Sequence, residues 1–438
     1  MQSTLPVTSL IAPRAGGPTD PSHDEELRRG ILHTDVARPV AWLLVVGFVL
    51  AIFALPLAQI YLEKRADEAS PLLDLFRRAP SAENLHRLEH DLEEAAYAKA
   101  FVQPRLQLLL SRFGRVGNKR AVVGQAGWLY YAPGVLHVAG PGFLDATLQR
   151  SREKAALDAS EPAINADPRP AIFEFQRALG QRGIRLVLVP LPDKASIESA
   201  PLRGASSTPE ARPDNPDFAR FVAELRSHGV AVFDARATLP SAPAAPVYLQ
   251  QDTHWTPAWM EQVAAALGRY VNALGVLPPP ATPLQLTTVA QPATRVGDIV
   301  DMLKLPEEQA LFRPQTVTVH QVQDAQGNPW EADAKADVLL LGDSFSNVFS
   351  LEGMGWGAAA GLGPQLSLAL GRSLDVIAQN DSGAFATRQA LARELAAGSD
   401  RLAGKRVVIW EFAARELSVG DWKHLDWPQP SSAAESAP

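Results

Sequence analysis

The sequence predicts an α/β protein with a mainly parallel sheet and helices on both of its faces, preceded by one transmembrane helix. Three observations carry this prediction. One uncharged stretch is long enough to cross a bilayer, helical segments ending at glycine feed short β-branched runs, and two apolar runs stop abruptly in polar loops. Otherwise the composition is that of an ordinary globular chain: 438 residues, 46% hydrophobic and 20% charged, with net charge −7. The absence of cysteine excludes thiol catalysis, CxxC redox chemistry and cysteine-ligated zinc or iron–sulfur clusters. Lys and Arg form no long stripe, so nucleic acid is not an expected partner.

Residues 1–38 are rich in Pro, Gly, Ser and Thr without apolar periodicity, and read as a disordered tail. Residues 39–62, PVAWLLVVGFVLAIFALPLAQIYL, carry no charge and read as a retained transmembrane anchor, with Trp42 and Tyr61 near the two interfaces. Arg28, Arg29 and Arg38 on one side balance Lys64, Arg65 and Arg77 on the other, so charge counting assigns no orientation. Residues 63–118 form a juxtamembrane helical spacer. There Ser81 is an N-cap, Leu85, Leu88 and Leu92 share one face, and Pro104 is expected to end or kink the helix. His86 and His90 also share a face, but HRLEH offers no third ligand, so neither a metal nor another cofactor is expected. The basic group Arg112, Arg115, Lys119 and Arg120 reads as a solvated helix exit or a contact for an acidic polymer.

Residues 119–425 alternate between α and β patterns and form the expected catalytic domain, followed by a disordered tail, 426–438. Ala121 to Tyr131 reads as a hairpin. A helix near Ala171 to Leu179 leads through Gly183 into a strand, Ile184 to Pro190. Another, Asp217 to Ser227, leads through Gly229 into Val230 to Phe233. Such helix-to-strand units imply a parallel sheet. Pro-rich connections follow at Leu239 to Pro246 and Leu277 to Pro283, and alternation marks a strand at Thr316 to His320. Ala336 to Leu341, Leu374 to Ala378 and Arg406 to Trp410 supply further strands. The first and last of these run directly into Gly342-Asp343-Ser344 and Glu411, and functional groups gather where parallel strands end.

A glycine turn after a buried strand lifts the Ser344 hydroxyl to the sheet edge, where its backbone N–H can face a developing oxyanion. The second polar loop is Gln251-Asp252-Thr253-His254-Trp255, before a helix opened by Thr256 and Pro257 and running to Leu274. In extended chain residues two apart point the same way, so Asp252 can orient the His254 imidazole. Serine needs a base, and the base needs an orienting acid. Ser344, His254 and Asp252 supply those three roles.

At these residues the sequence resembles the AlgJ/AlgX type of alginate O-acetyltransferase, whose domain is SGNH-hydrolase-like. The resemblance rests on GWLYY (Gly127 to Tyr131), VPLPDKASI (Val189 to Ile197), DTHW (Asp252 to Trp255), VGDIVDML (Val296 to Leu303), GDSFS (Gly342 to Ser346) and WEFAAREL (Trp410 to Leu417). The Asp/His block precedes the serine block, the reverse of ordinary SGNH hydrolases, so the motif order is permuted. The resemblance implies Ser344 as nucleophile, His254 as general base and Asp252 as orienting acid. It further implies acetyl transfer to a secreted, alginate-like polysaccharide, with the acetyl group delivered by a membrane-bound O-acyltransferase partner. The chain would then be a single-pass protein of the bacterial inner membrane, its catalytic domain in the periplasm. Asn380 and Gly383 are positional candidates for the second oxyanion donor. Trp255, Trp356 and Trp410 either line a sugar-stacking groove or pack in the core. Arg415 either contacts acidic sugars or pairs at the surface. An acetyl esterase using the same three residues and a non-catalytic polysaccharide-assembly protein are the alternatives.

Overall fold

The computed structural model describes residues 37–74, 77, 81–95, 97–159, 161–203, 212–239, 245–280 and 283–428. The expected tails therefore lie almost wholly outside the described residues. The chain divides into two compact units, Met1–Val102 and Gln103–Pro438.

The first unit holds one helix long and apolar enough to cross a membrane, Arg38–Arg65, with a mean hydropathy of 2.7. At 1.5 Å per residue its 28 residues extend about 42 Å, more than a bilayer's hydrocarbon core. Its middle, Leu50–Ala54, is π-helical. Pro56 lies just beyond, where its ring and missing N–H disturb the ladder one turn back; a wider turn accommodates this. A second helix, Ala82–Ala95, opens at Ser81, whose hydroxyl accepts from Asn84 N at 3.2 Å. Of the two outcomes expected at Pro104, an end or a kink, the end is corrected. The helix Tyr97–Leu109 runs through it and ends in the π-helical turn Leu110–Gly114, where Arg115 adopts a left-handed conformation.

In the second unit, β1 (Ala121–Val123) and β2 (Leu129–Tyr131) form the expected hairpin. The central sheet comprises β3 (Arg185–Leu191), β4 (Ala231–Val232), β7 (Val338–Gly342), β8 (Asp375–Ala378) and β9 (Val407–Ala413). Its order is β4-β3-β9-β7-β8, and every pairing is parallel. Side chains alternate across it as the pleat requires. Val187, Val189, Leu340 and Ile409 enter one core with the helices Pro257–Ala273 and Leu362–Leu370. Leu186, Leu188, Leu341 and Trp410 enter the other with Pro168–Gly180, Phe218–Ser227 and Ala386–Ala396. The sheet is thus covered on both faces, which is why its strands read as continuous apolar runs.

A separate ribbon pairs β5 (Thr287–Arg295) with β6 (Gln315–Gln323) in antiparallel register. Sequence alternation identified only part of β6, since β5 is largely exposed and carries Pro292. In the main sheet β3 passes to β4 at one edge and β7 to β8 at the other, while β9 fills the gap between them. Chain directions diverge about β9, which opens a crevice at the carboxyl ends of β3, β9 and β7.

Candidate active site

Ser344 follows β7. Asp343 caps the short helix Ser344–Asn347 by accepting from Phe345 N at 2.8 Å, and its second oxygen accepts from Ala413 N at 2.9 Å. Beneath this turn Glu411, fully buried on β9, accepts from Asp343 N at 3.1 Å and from the Ser346 hydroxyl at 2.6 Å on the same oxygen. A Cβ on Gly342 would lie 2.2 Å from Ser346 Oγ, so only glycine lets this turn close. Burial, reinforced by the Asp343 charge, holds the Glu411 carboxyl well above the usual carboxylate range. The Ser344 turn therefore rests on a buried acid that favours its neutral form.

The Asp252–His254 segment is not the extended chain expected. Leu249 N donates to His254 O at 3.0 Å and Thr256 N to Val247 O at 2.7 Å, closing a tight loop. Within it Asp252 Oδ1 accepts from His254 N at 3.1 Å, an Asx turn. That turn brings the two side chains to one side. His254 Nδ1 lies 2.6 Å from Asp252 Oδ1 and Nε2 lies 2.9 Å from Ser344 Oγ. The sequence-predicted Ser344, His254 and Asp252 thus stand in one hydrogen-bonded chain. Ser344 is the most exposed of the three, at 8% against 3% and 2%. The hydroxyl is the end that meets the outside.

Several residues to which the sequence reading gave no role, or in the case of Trp356 a different one, complete this arrangement. Asp252 Oδ2 accepts from Trp356 Nε1 at 2.9 Å and from Asp298 N at 3.1 Å, while Asp298 Oδ1 accepts from Thr253 N at 2.7 Å. Gly297 permits that approach: a Cβ there would lie 2.2 Å from Gln251 O and 2.6 Å from Asp252 N. The buried Lys194 ammonium donates to the carbonyls of Leu129, Gln250 and Asp252 at 2.6, 2.9 and 3.0 Å. It ties the β1–β2 hairpin to the loop carrying His254. Gly297 and Asp298 fall in one of the blocks that carried the resemblance and Lys194 in another, while Trp356 lies outside them all; their roles depend on contacts between distant segments.

Electrostatics follow from these contacts. Burial alone would lower the His254 pKa, but the Asp252 charge and hydrogen bond, helped by Asp298, outweigh it and raise the value. Burial likewise opposes ionisation of Asp252, yet His254, Asp298 N and Trp356 hold it below the usual carboxylate range. Asp298 is pushed up to about 6 by burial and by the neighbouring Asp252 charge. Lys194 is pushed down to about 7 by burial, against the attraction of Asp252, Asp298 and Glu198.

Asp252, His254 and Asp298 place ligand-type atoms within 4.8 Å of one another. Their hydrogen bonds argue against a metal centre. His254 Nδ1 sits 2.6 Å from Asp252 Oδ1, closer than the spacing of more than about 3 Å between ligand atoms on a tetrahedral zinc. Asp252 Oδ2 is already occupied by two N–H donors. The donor set suits a proton relay.

The remaining sequence candidates lie elsewhere or are sealed. Asn380 is exposed and accepts from Asn347 Nδ2 at 2.8 Å, beside the short helix that Ser344 opens. Gly383 is buried, and a Cβ there would lie 3.2 Å from Asp343 Oδ2. Trp255 and Trp410 are 0% exposed and Trp356 1%, which corrects the sugar-stacking expectation. Strand alternation turns Trp410 into the core beside Phe412 and Trp422. Trp255 packs on Trp259 and Phe345, and Trp356 serves Asp252. Arg415 is also buried, so surface pairing is corrected. Its guanidinium lies over the rings of Tyr131 and Phe345 and 3.5 Å from Asp193.

Comparison with known proteins accords with this geometry. A family model described as "SGNH hydrolase-like domain, acetyltransferase AlgX" matches residues 121–414. The probable alginate O-acetylase AlgJ of Pseudomonas aeruginosa is 28% identical over 249 residues, covering 56% of this chain and 62% of that one. Its counterpart from Azotobacter vinelandii is 27% identical over 263 residues, covering 58% and 63%. The chain thus spans less than two-thirds of the length of these relatives. The solved O-acetyltransferase domain of Pseudomonas putida AlgJ shares the fold, with a TM-score of 0.50 at 22% identity over 69% of this chain and 93% of that domain. With the family model covering most of the second unit, the chain belongs to the AlgX acetyltransferase family and carries its SGNH hydrolase-like α/β domain.

Proposed function

We propose that this chain is a membrane-anchored O-acetyltransferase that moves acetyl groups to a secreted, alginate-like polysaccharide through an acetyl-Ser344 intermediate. The observation that carries the reading is the single imidazole, His254, bridging Ser344 at 2.9 Å and Asp252 at 2.6 Å. Family membership and the names of the relatives support acetyl transfer as the reaction class. His254 Nε2 takes the Ser344 proton as Oγ attacks the acetyl carbonyl, and Asp252 stabilises the imidazolium that forms. The imidazolium returns this proton to the departing donor group. A sugar hydroxyl then gives its proton to His254 and attacks the acetyl-serine carbonyl; the imidazolium passes that proton to the departing Ser344 Oγ, which frees Ser344 and the acetylated sugar. General-base action of this kind contributes about 10²–10⁴-fold. The Ser344 N–H, which opens its helix and so has no intrahelical acceptor, is available to the oxyanion.

The apolar helix Arg38–Arg65 supports single-pass anchoring. In this reading the catalytic domain lies in the periplasm of a bacterial inner membrane, and a membrane-bound O-acyltransferase partner supplies the acetyl group. The test uses the full chain in detergent with an activated acetyl ester and an acidic acceptor oligosaccharide. Acetylated sugar and an acetyl adduct on Ser344 are expected. Release of acetate without any acetylated sugar would instead make the chain an esterase with the same three residues.

A further inference from the structure

The helical segment Gln103–Gly114 is inverted in polarity. Its polar side turns inward: Gln107 Nε2 donates to Ser111 Oγ at 3.0 Å and to Val116 O at 2.9 Å, and the buried Ser111 hydroxyl donates to Val116 O at 3.1 Å. Its apolar side turns outward, with Leu106 50%, Leu109 54%, Leu110 39% and Phe113 77% exposed. Spaced three and four apart along the segment, these four fall on one side of it, in an arc of about 100° at α-helical pitch and slightly wider through the π-helical turn, the width of a normal core-facing stripe. A surface helix in water presents the opposite arrangement. The exposed cations Arg112, Arg115, Lys119 and Arg120 lie within and directly after the last turn of this segment in sequence.

We propose that this face lies in the headgroup layer of an anionic bilayer, with Leu106, Leu110 and Phe113 in the acyl boundary and the four cations among lipid phosphates. Leucine and phenylalanine on one side with clustered basic residues beside them is the pattern of an interfacial helix. A polyanionic chain would satisfy the cations but leaves the apolar arc in water, so the bilayer accounts for both features. The inference rests on reading Arg38–Arg65 as an anchor, which brings the remainder of the chain to a membrane. Docking this face would limit the distances over which Ser344 can reach an acceptor.

The absence of native cysteine makes site-specific labelling clean. The full chain carrying Leu106→Cys, Phe113→Cys, Gly47→Cys or Lys335→Cys is labelled with bimane and reconstituted in phosphatidylethanolamine–phosphatidylglycerol vesicles containing spin-labelled lipid. Labels at Leu106 and Phe113 are expected to emit to the blue and lose at least about half their intensity to the spin label, while Lys335 emits as in water. Joint replacement of Arg112, Arg115 and Lys119 by Gln should reduce that quenching at least about twofold. Blue-shifted emission without lipid quenching means a protein or a second copy covers the face, and overturns the proposal. So does emission that shifts only on adding an acidic oligosaccharide. If the Gly47 label is quenched and the other two are not, this inference alone fails; if none is quenched, the anchor reading fails with it.

Discussion

Replacing Gly297 by alanine tests whether the Asp252–His254 geometry depends on contact with a distant loop. The added Cβ would sit 2.2 Å from Gln251 O and 2.3 Å from its carbonyl carbon. Both are backbone atoms that no side-chain rotation can clear, so the two segments must separate by about 1 Å to reach tolerable contact. The Asp298 N to Asp252 Oδ2 bond, now 3.1 Å, would stretch to about 4 Å and cease to be a hydrogen bond. Overpacking of this kind costs about 1–3 kcal/mol, a fall in Tm of about 1–4 °C for a unit of this size. A displacement of about 1 Å in catalytic geometry costs about 10² in rate. The assay is the rate of Ser344 labelling by a sulfonyl fluoride, read beside thermal unfolding. Gly353→Ala, where a Cβ meets nothing within 4 Å, serves as the control and should be silent. Labelling of Gly297→Ala within threefold of native, at native Tm, would refute the reasoning.

Ser344→Ala and His254→Ala should each abolish acetyl turnover while leaving thermal unfolding nearly unchanged; full turnover in either would sink the enzymatic reading. The pH–rate profile should rise as His254 loses its proton, with an inflection above the ordinary histidine value of about 6.5 because the folded pKa is raised. Asp252→Asn removes the charge responsible, so the inflection should move down and kcat should fall by about 10⁴; an unmoved inflection would count against the assignment. Glu411→Ala strips the acceptor from Asp343 N–H and the Ser346 hydroxyl, at about 1–3 kcal/mol for each group left buried. Glu411→Gln keeps a neutral acceptor in the same shape and should label within threefold of native. Equal Tm values for native and Glu411→Ala would show that Glu411 does not support the Ser344 turn.

What the sequence by itself determined were the features written in local patterns. The apolar span at residues 39–62, which lies within the helix Arg38–Arg65, the β1–β2 hairpin, the helix-to-strand units and the glycine turns at strand ends all follow from short-range propensity and periodicity. Asp252, His254 and Ser344 were legible too, because their residue types and neighbours declare their chemistry. Pro104 did not end its helix, because a helix can carry a proline in its interior at the cost of one backbone hydrogen bond. The tryptophans misled because an indole next to a functional motif reads the same whether it faces a groove or the core.

Only the tertiary structure decided how those residues are held. His254 and Ser344, 90 positions apart, close to one hydrogen bond because the loop that follows β4 packs on the turn after β7, where Trp255 Nε1 donates to Phe345 O at 3.2 Å. The Asx turn that aligns Asp252 with His254 is local, but the donors that settle its carboxylate come from Asp298 and Trp356. Lys194 and Glu411 gained their roles in the same way, as buried polar groups that folding must supply with partners from distant segments. Periodicity cannot report such pairings, because it records which face a side chain takes and not what it meets there.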